Sequence, residues 1–210
     1  MSRIIDKGLE EQSVLLVRMG ELTYETLALS IDGYLNEKSV QNQVREMSDV
    51  LVSMADKVED EAFELIARFQ PVASDLRTIK SYMKIGYDFA RYGRYAFDIA
   101  NINGSTECDA WSKDYIENMS KKVLSMVKLS VDALKKYNIS LAKTISQTER
   151  EVDKMYFEYL NSLLNHNDLS SKCIISSVLI TRYLERIADH ATYVCESIVY
   201  IVTGEKITLR

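Results

Sequence analysis

The chain is poor in residues that turn a backbone. It holds 7 glycines and 1 proline in 210 residues, together 8 of 210, about a third of average usage. Tight turns need glycine or proline, so few turns are expected. That excludes sandwiches, barrels, propellers, collagen and disordered linkers, and leaves a few long helices. Excess positive charge is also missing. Lys plus Arg is 26 against 31 Asp plus Glu, a formal charge of −5, so general nucleic-acid binding is not expected. No run of 18 apolar residues occurs, and no transmembrane helix or membrane insertion is expected. The start, MSRIIDKGLEEQSVLLVRMGE, carries acids and has no signal-peptide core. Cys108, Cys173 and Cys195 are an odd number without a CxxC pair. They predict no disulfide framework, three small packed hydrophobes and a reducing cytoplasm. Catalytic signatures are missing as well: no Gly-rich phosphate loop, HExxH or GxSxG, and no nucleophile beside a base.

What is present fits the absences. Hydrophobic residues make up 47% and charged residues 27%, enough to bury a core. Breaks at Gly33 with Asn36 to Ser39, at Pro71, at Asn101 to Asp109, at Tyr137-Asn138 and at Asn165 to Ser171 divide the chain. Six helices are predicted, roughly 3–32, 38–69, 73–101, 110–136, 139–164 and 169–203. Several approach 30 residues, about 45 Å at 1.5 Å per residue. In the fifth, Ile145, Val152, Tyr156, Tyr159 and Leu163 fall within about 40° of one line at 100° per residue. Three helices, a polar break and three more suggest a duplication. Residues Lys84 to Ala96 lie over Leu179 to Ala191 at an offset of 95, with Phe89 over Leu184 and Ala96 over Ala191. The fold expected is all-α: two tandem three-helix bundles, residues 1–103 and 104–210, related by a pseudo-two-fold.

Two acidic couples stand out. Glu149 and Asp153, and Glu185 and Asp189, are each spaced i, i+4, about one helical turn. Four carboxylates from two adjacent helices can hold a hard or borderline cation. The helical wheel puts Glu185 and Asp189 opposite Ile187, on the bundle surface. The plainer alternative is a solvated stripe paired to Arg150, Arg182 or Arg186. His166 falls in a loop, and His190 reads as a surface histidine. No Glu-x-x-His exists, because Leu163 and Ile187 stand at the needed positions, so the carboxylate di-iron oxidase pattern is missing. On the third helix, Arg77, Lys80, Lys84 and Arg91 fall within about 60°. This basic stripe, with Asp88 among it, could contact an anion or an acidic partner. The aromatics of YDFARYGRYAF read as core.

Gln70-Pro-Val-Ala-Ser-Asp-Leu-Arg77 resembles the QPxAxDLR signature of the PhoU family of phosphate-uptake regulators. Leu184-Glu-Arg-Ile-Ala-Asp-His-Ala191 resembles that family's ERIGD-type helix, and Glu196 to Gly204 resembles the end of its last helix. The signature also has a turn reading, since Ser74 or Asp75 can cap the helix after Pro71. The resemblance implies a negative regulator of phosphate uptake, not an enzyme. It would link a phosphate ABC transporter's ATPase to a sensor kinase through protein contacts, and it would dimerise with itself. It also implies E(D)xxxD motifs on two helices of each bundle, which in some members hold iron or other multinuclear metal clusters at the surface. The second bundle keeps Glu149, Asp153, Glu185 and Asp189. The first sets Ser48, Val52, Ala90 and Arg94 in their place, so metal is expected in the second bundle only. Two alternatives remain: an accessory subunit of another ion transporter, and a carboxylate-metal enzyme.

Overall fold

A computed structural model describes residues 3–102, 107–166 and 168–209. They form α1 (Ile4–Leu35), α2 (Gln41–Phe69), α3 (Ala73–Ala100), α4 (Ala110–Lys136), α5 (Ser140–Leu163) and α6 (Ser171–Thr203). There is no strand among the described residues. The all-α class and the count of six follow the expectation.

Local chemistry sets the ends. Asp109 caps α4 by accepting the Ser112 N–H at 2.8 Å, and Ser170 caps α6 through the Cys173 N–H at 3.1 Å. Each satisfies a donor that the first helical turn leaves free. α2 ends on Gln70 in the left-handed region (φ 44°), and Pro71 follows. α6 ends on Gly204 at φ 77°, a conformation glycine takes without steric cost. Gly33 does not break α1, which runs on to Leu35. A Cβ there would collide with Val40, and the Gly33 carbonyl accepts the Lys38 N–H at 2.9 Å. Glycine is needed for close approach of the returning chain.

The capping reading of the QPxAxDLR segment lands on Asp75. Its carboxylate accepts the Val72 N–H at 3.3 Å and takes two bonds from Arg3, at 2.8 and 2.9 Å. The aspartate therefore starts α3 and ties it to the start of α1.

The duplication is visible in burial. In α1, Gln12, Leu16, Met19, Gly20, Thr23, Thr26, Leu27, Ser30, Ile31, Gly33 and Tyr34 are buried, and each has a buried counterpart 100 positions later in α4, from Ser112 to Leu134. At the offset of 95, Ser81, Tyr82, Ile85, Phe89, Tyr92 and Ala96 of α3 match buried residues of α6. α1, α3, α4 and α6 form the middle of the molecule. α2 flanks α1 and α3, and α5 flanks α4 and α6. One core runs through both repeats, from Leu16 and Phe89 to Val127 and Ile187. Tyr137 helps to join them, since its hydroxyl meets Ser13 at 3.2 Å and the hydroxyl of Tyr82. The boundary expected at 103/104 begins on Asn103, outside the described residues.

The cysteine expectation is corrected. Cys108 and Cys173 are joined by a disulfide, with Cα atoms 4.8 Å apart, and only Cys195 is free. Counting cysteines along the chain misses this, because 65 positions separate the two in sequence and only packing the start of α6 beside the approach to α4 brings them together.

Candidate functional site

The four acids sit where α5 runs along α6, and they are drier than the wheel suggests. Glu149 is 8% and Asp189 7% exposed, the Glu185 side chain is 12% exposed, and Asp153 is half-buried. The expected surface position is corrected. The wheel allots α6 one dry face, but α3, α4 and α5 all pack on it, so its polar side is largely covered. Arg182 and Arg186 answer the charge: Arg182 Nη1 lies 2.8 Å from Glu185 Oε2, and Arg186 Nη1 lies 3.7 Å from Asp189 Oδ2. The Arg182 contact lies off the hydrogen-bonding line, so Glu185 Oε2 is buried without a hydrogen bond. Burial pushes the Glu185 carboxyl up, and the charges of Asp189 and Asp153 push the same way, against Arg182 and Arg186. Those charges couple Glu185 to both neighbours. No group of three or more His, Cys, Asp or Glu gathers in metal-holding geometry among the described residues. The arginines stand there instead.

The basic stripe divides. Lys80 and Lys84 line a groove with α6 and the tail beyond it. Lys84 Nζ lies 3.8 Å from Glu196 and 5.4 Å from the Tyr193 ring centroid. Arg77 packs against Gly204. Arg91 turns away to donate to the Tyr95 hydroxyl at 3.1 Å. Asp88 does not join the solvated stripe; it is 2% exposed.

Asp88 belongs to a cluster that the sequence reading missed. His190 Nδ1 donates to Asp88 Oδ1 at 2.8 Å, which corrects the surface reading of that histidine. The His190 ring lies 5.7 Å from that of Tyr95. Asp88 Oδ2 and the Tyr92 hydroxyl are buried with no hydrogen bond. Burial pushes the Asp88 carboxyl up, and His190 and Lys84 oppose the rise. The signal was in the repeat itself. Tyr95 and His190 stand 95 positions apart, so each is the other's counterpart, and their contact marks the pseudo-two-fold axis. Tyr183 against Tyr95, at 5.9 Å, repeats the Asp88–His190 contact across that axis. The expected aromatic core holds for Phe89, Tyr92 and Tyr95, all buried, while Tyr87 is 60% exposed. His166 stacks on Trp111 at 4.2 Å.

The PhoU domain model matches residues 16–102 and again 116–198. The chain belongs to the PhoU family. It is 34% identical to the phosphate-specific transport system accessory protein PhoU homolog of Clostridium acetobutylicum, over 99% of this chain and 98% of that one. The Pseudomonas putida homolog of the same description is 30% identical over 97% of this chain and 82% of its own length. The crystal structure of PhoU from Pseudomonas aeruginosa superposes with a TM-score of 0.87 at 28% identity, covering 95% of this chain and 99% of that one.

The PhoU repeat allows the first-half acids to be placed by packing. Leu51, Val58 and Leu65 match Ile145, Val152 and Tyr159, all buried, at an offset of 94. Glu149 and Asp153 then correspond to Ala55 and Glu59, not to Ser48 and Val52. Ala90 and Arg94 keep their expected places opposite Glu185 and Asp189. At these positions the first repeat therefore retains one exposed acid, Glu59, while Arg94 pairs with Asp98 at 3.3 Å.

Proposed function

We propose that this chain is a non-enzymatic regulator of phosphate uptake and phosphate signalling, working in the cytoplasm through protein contacts. One observation carries the reading: both repeats match the PhoU model, and a phosphate-specific transport accessory protein aligns over nearly the full length of both chains. The physical character agrees, because long helix faces suit an adaptor. No helix is long and apolar enough to cross a membrane among the described residues. The partners are the ATPase of a phosphate ABC transporter, a sensor kinase, or both, with a second copy of the chain as dimer mate. Of Arg77, Lys80, Lys84 and Arg91, the exposed Lys80 and Lys84 offer the contact face for an acidic partner surface, while Arg77 and Arg91 are half-buried.

Native copurification tests this. A phosphate-transporter ATPase or its kinase is expected to come down with the chain. Lys84→Glu with Arg91→Glu should weaken that complex about tenfold or more, since like charges facing each other across an interface cost several kcal/mol. Unchanged affinity would remove the stripe from the account. Copurification with the transporter of a different ion would favour the alternative reading as its accessory subunit. The third reading, a carboxylate-metal enzyme, would need turnover by the purified chain.

We assign a divalent or iron cation to Glu149, Asp153, Glu185 and Asp189. The donor set is hard carboxylate oxygen, and Glu185 Oε2 is buried with only the arginine ion pairs to answer it. A cation entering there must displace Arg182 and Arg186, so binding is coupled to the movement of two guanidinium groups. Metal analysis of natively purified protein beside a Glu149→Ala, Asp189→Ala variant is expected to show metal in the first and little in the second. Equal content in both rejects the assignment.

A further inference from the structure

Between the early turns of α3 and the end of α6 lies a cavity of about 390 Å³. Lys80 and Lys84 reach it from α3, and Lys206 from the tail after α6. Ser81, Ser197 and Thr208 stand between them. The chain as a whole carries −5, so three ammonium groups around one cavity run against its overall charge. Lys80 and Lys206 have no ion-pair partner among the described residues. Glu196 is the one carboxylate on the wall. It faces Lys84 at 3.8 Å and accepts the Leu209 N–H at 3.1 Å, so its charge is answered locally. One turn back from Lys80, Arg77 packs on Gly204 with its Nε buried and unbonded. The excess is cationic, with several hydroxyl donors.

We infer that this cavity binds an anion carrying more than one phosphoryl group. Lysines are compact, mobile point charges that serve as partners of phosphoryl oxygens. The volume falls in the range of small-molecule sites and leaves room beyond a single orthophosphate. The wall is also a closing device. The chain turns at Gly204, and Leu209 is held at both ends: its N–H by Glu196 and its carbonyl by the Ser146 hydroxyl of α5, at 2.6 Å. A ligand gripping Lys206 therefore fastens the tail across α5 and α6. The inference rests on the chemistry of the cavity and not on the transporter reading.

Calorimetric titration of the full chain with tripolyphosphate, ATP, orthophosphate and sulfate tests it. Tripolyphosphate or ATP is expected to bind once per chain. Lys80→Gln with Lys206→Gln should weaken that binding about tenfold or more, the loss of charge-assisted contacts. Both lysines are exposed, so the variant should melt like the parent. Lys57→Gln, at an exposed pair with Glu61 on α2, should change nothing. ATP tighter than tripolyphosphate identifies a nucleotide ligand, and the reverse identifies a polyphosphate chain; either supports the site. The inference is overturned if no titration saturates, if sulfate or orthophosphate binds as tightly, or if Lys57→Gln weakens binding equally.

Discussion

His190→Ala is expected to cost roughly 1–3 kcal/mol of unfolding free energy, the range for leaving a buried acceptor without its partner. Asp88 is 2% exposed, and its Oδ2 already lacks a partner. Without the imidazole, Oδ1 loses its donor as well. The groups around it offer little replacement. Lys84 acts on it at longer range, the Tyr92 hydroxyl is buried beside it, Arg91 is engaged with Tyr95, and Tyr193 of α6 presents a ring edge to His190. The pH dependence follows from burial. The folded carboxyl of Asp88 is pushed above its ordinary value of 3.8, so the folded chain binds that proton more tightly than the unfolded one. The stability linked to it is complete below the unfolded value and is lost as pH rises through the folded value. Removing His190 takes away a contact that lowers the Asp88 pKa, so in the variant the loss continues to higher pH. Adding Asp88→Asn abolishes the titration. His190→Ala/Asp88→Asn should therefore be more stable than His190→Ala at pH 8, with the gap narrowing toward pH 4. Urea melts of both variants across that range provide the check. A gap that stays constant would mean that no charge is stranded at the α3–α6 crossing.

That crossing matters because it joins the two repeats. Asp88 comes from the first and His190 from the second, and the core is continuous around them. A change that loosens this contact alters how the repeats sit on each other. It therefore also bears on the angle between the second-repeat carboxylates and the first-repeat basic face. On the proposed reading, regulation through protein contacts would need both surfaces held in a fixed relation.

The helices were legible because their ends are local. Pro71 follows α2, Asp75 starts α3, Asp109 and Ser170 cap α4 and α6, and Gly204 closes the last turn; each acts within a few residues of itself. Burial in α5 was legible for the same reason, since helical spacing alone sorts Ile145, Val152 and Tyr159 inward. The site was harder to read. A helical wheel gives each helix one inner face, which serves a helix with one neighbour. α6 has three, so its acids and His190 lie drier than the wheel places them. The α2 counterparts of Glu149 and Asp153 fall two turns away from Ser48 and Val52, because the repeats differ in length between helices. Burial at Leu51, Val58 and Leu65 fixes the register that counting could not. Contacts between positions far apart in sequence, Asp88 with His190 and Cys108 with Cys173, leave no periodic trace. Only the overlay of Tyr95 on His190 hinted at the first.

Reduction of the Cys108–Cys173 disulfide, or Cys108→Ser with Cys173→Ser, is expected to remove about 4 kcal/mol, from the loop-closure entropy of a chain segment of this length. The bond closes a 65-residue separation that contains α4 and α5, so the unfolded chain regains the freedom of most of the second repeat. For a domain of this size that corresponds to a Tm lower by roughly 8–16 °C. The double variant should melt with the reduced parent and below the oxidised parent. Thiol counting after denaturation without reductant should find one thiol, from Cys195, and three after reduction; three without reductant would sink the pairing. The bond can persist even against a reducing cytoplasm because of where it lies. Exchange needs an attacking thiolate and access to a sulfur. Cys173 is fully buried and Cys108 is 9% exposed. The internal thiol, Cys195, is itself buried, and burial pushes it up to about 12, so almost none of it is thiolate near neutral pH. Glutathione should therefore reduce the folded chain far more slowly than the urea-unfolded chain, and similar rates for the two would show that the fold does not shield the bond.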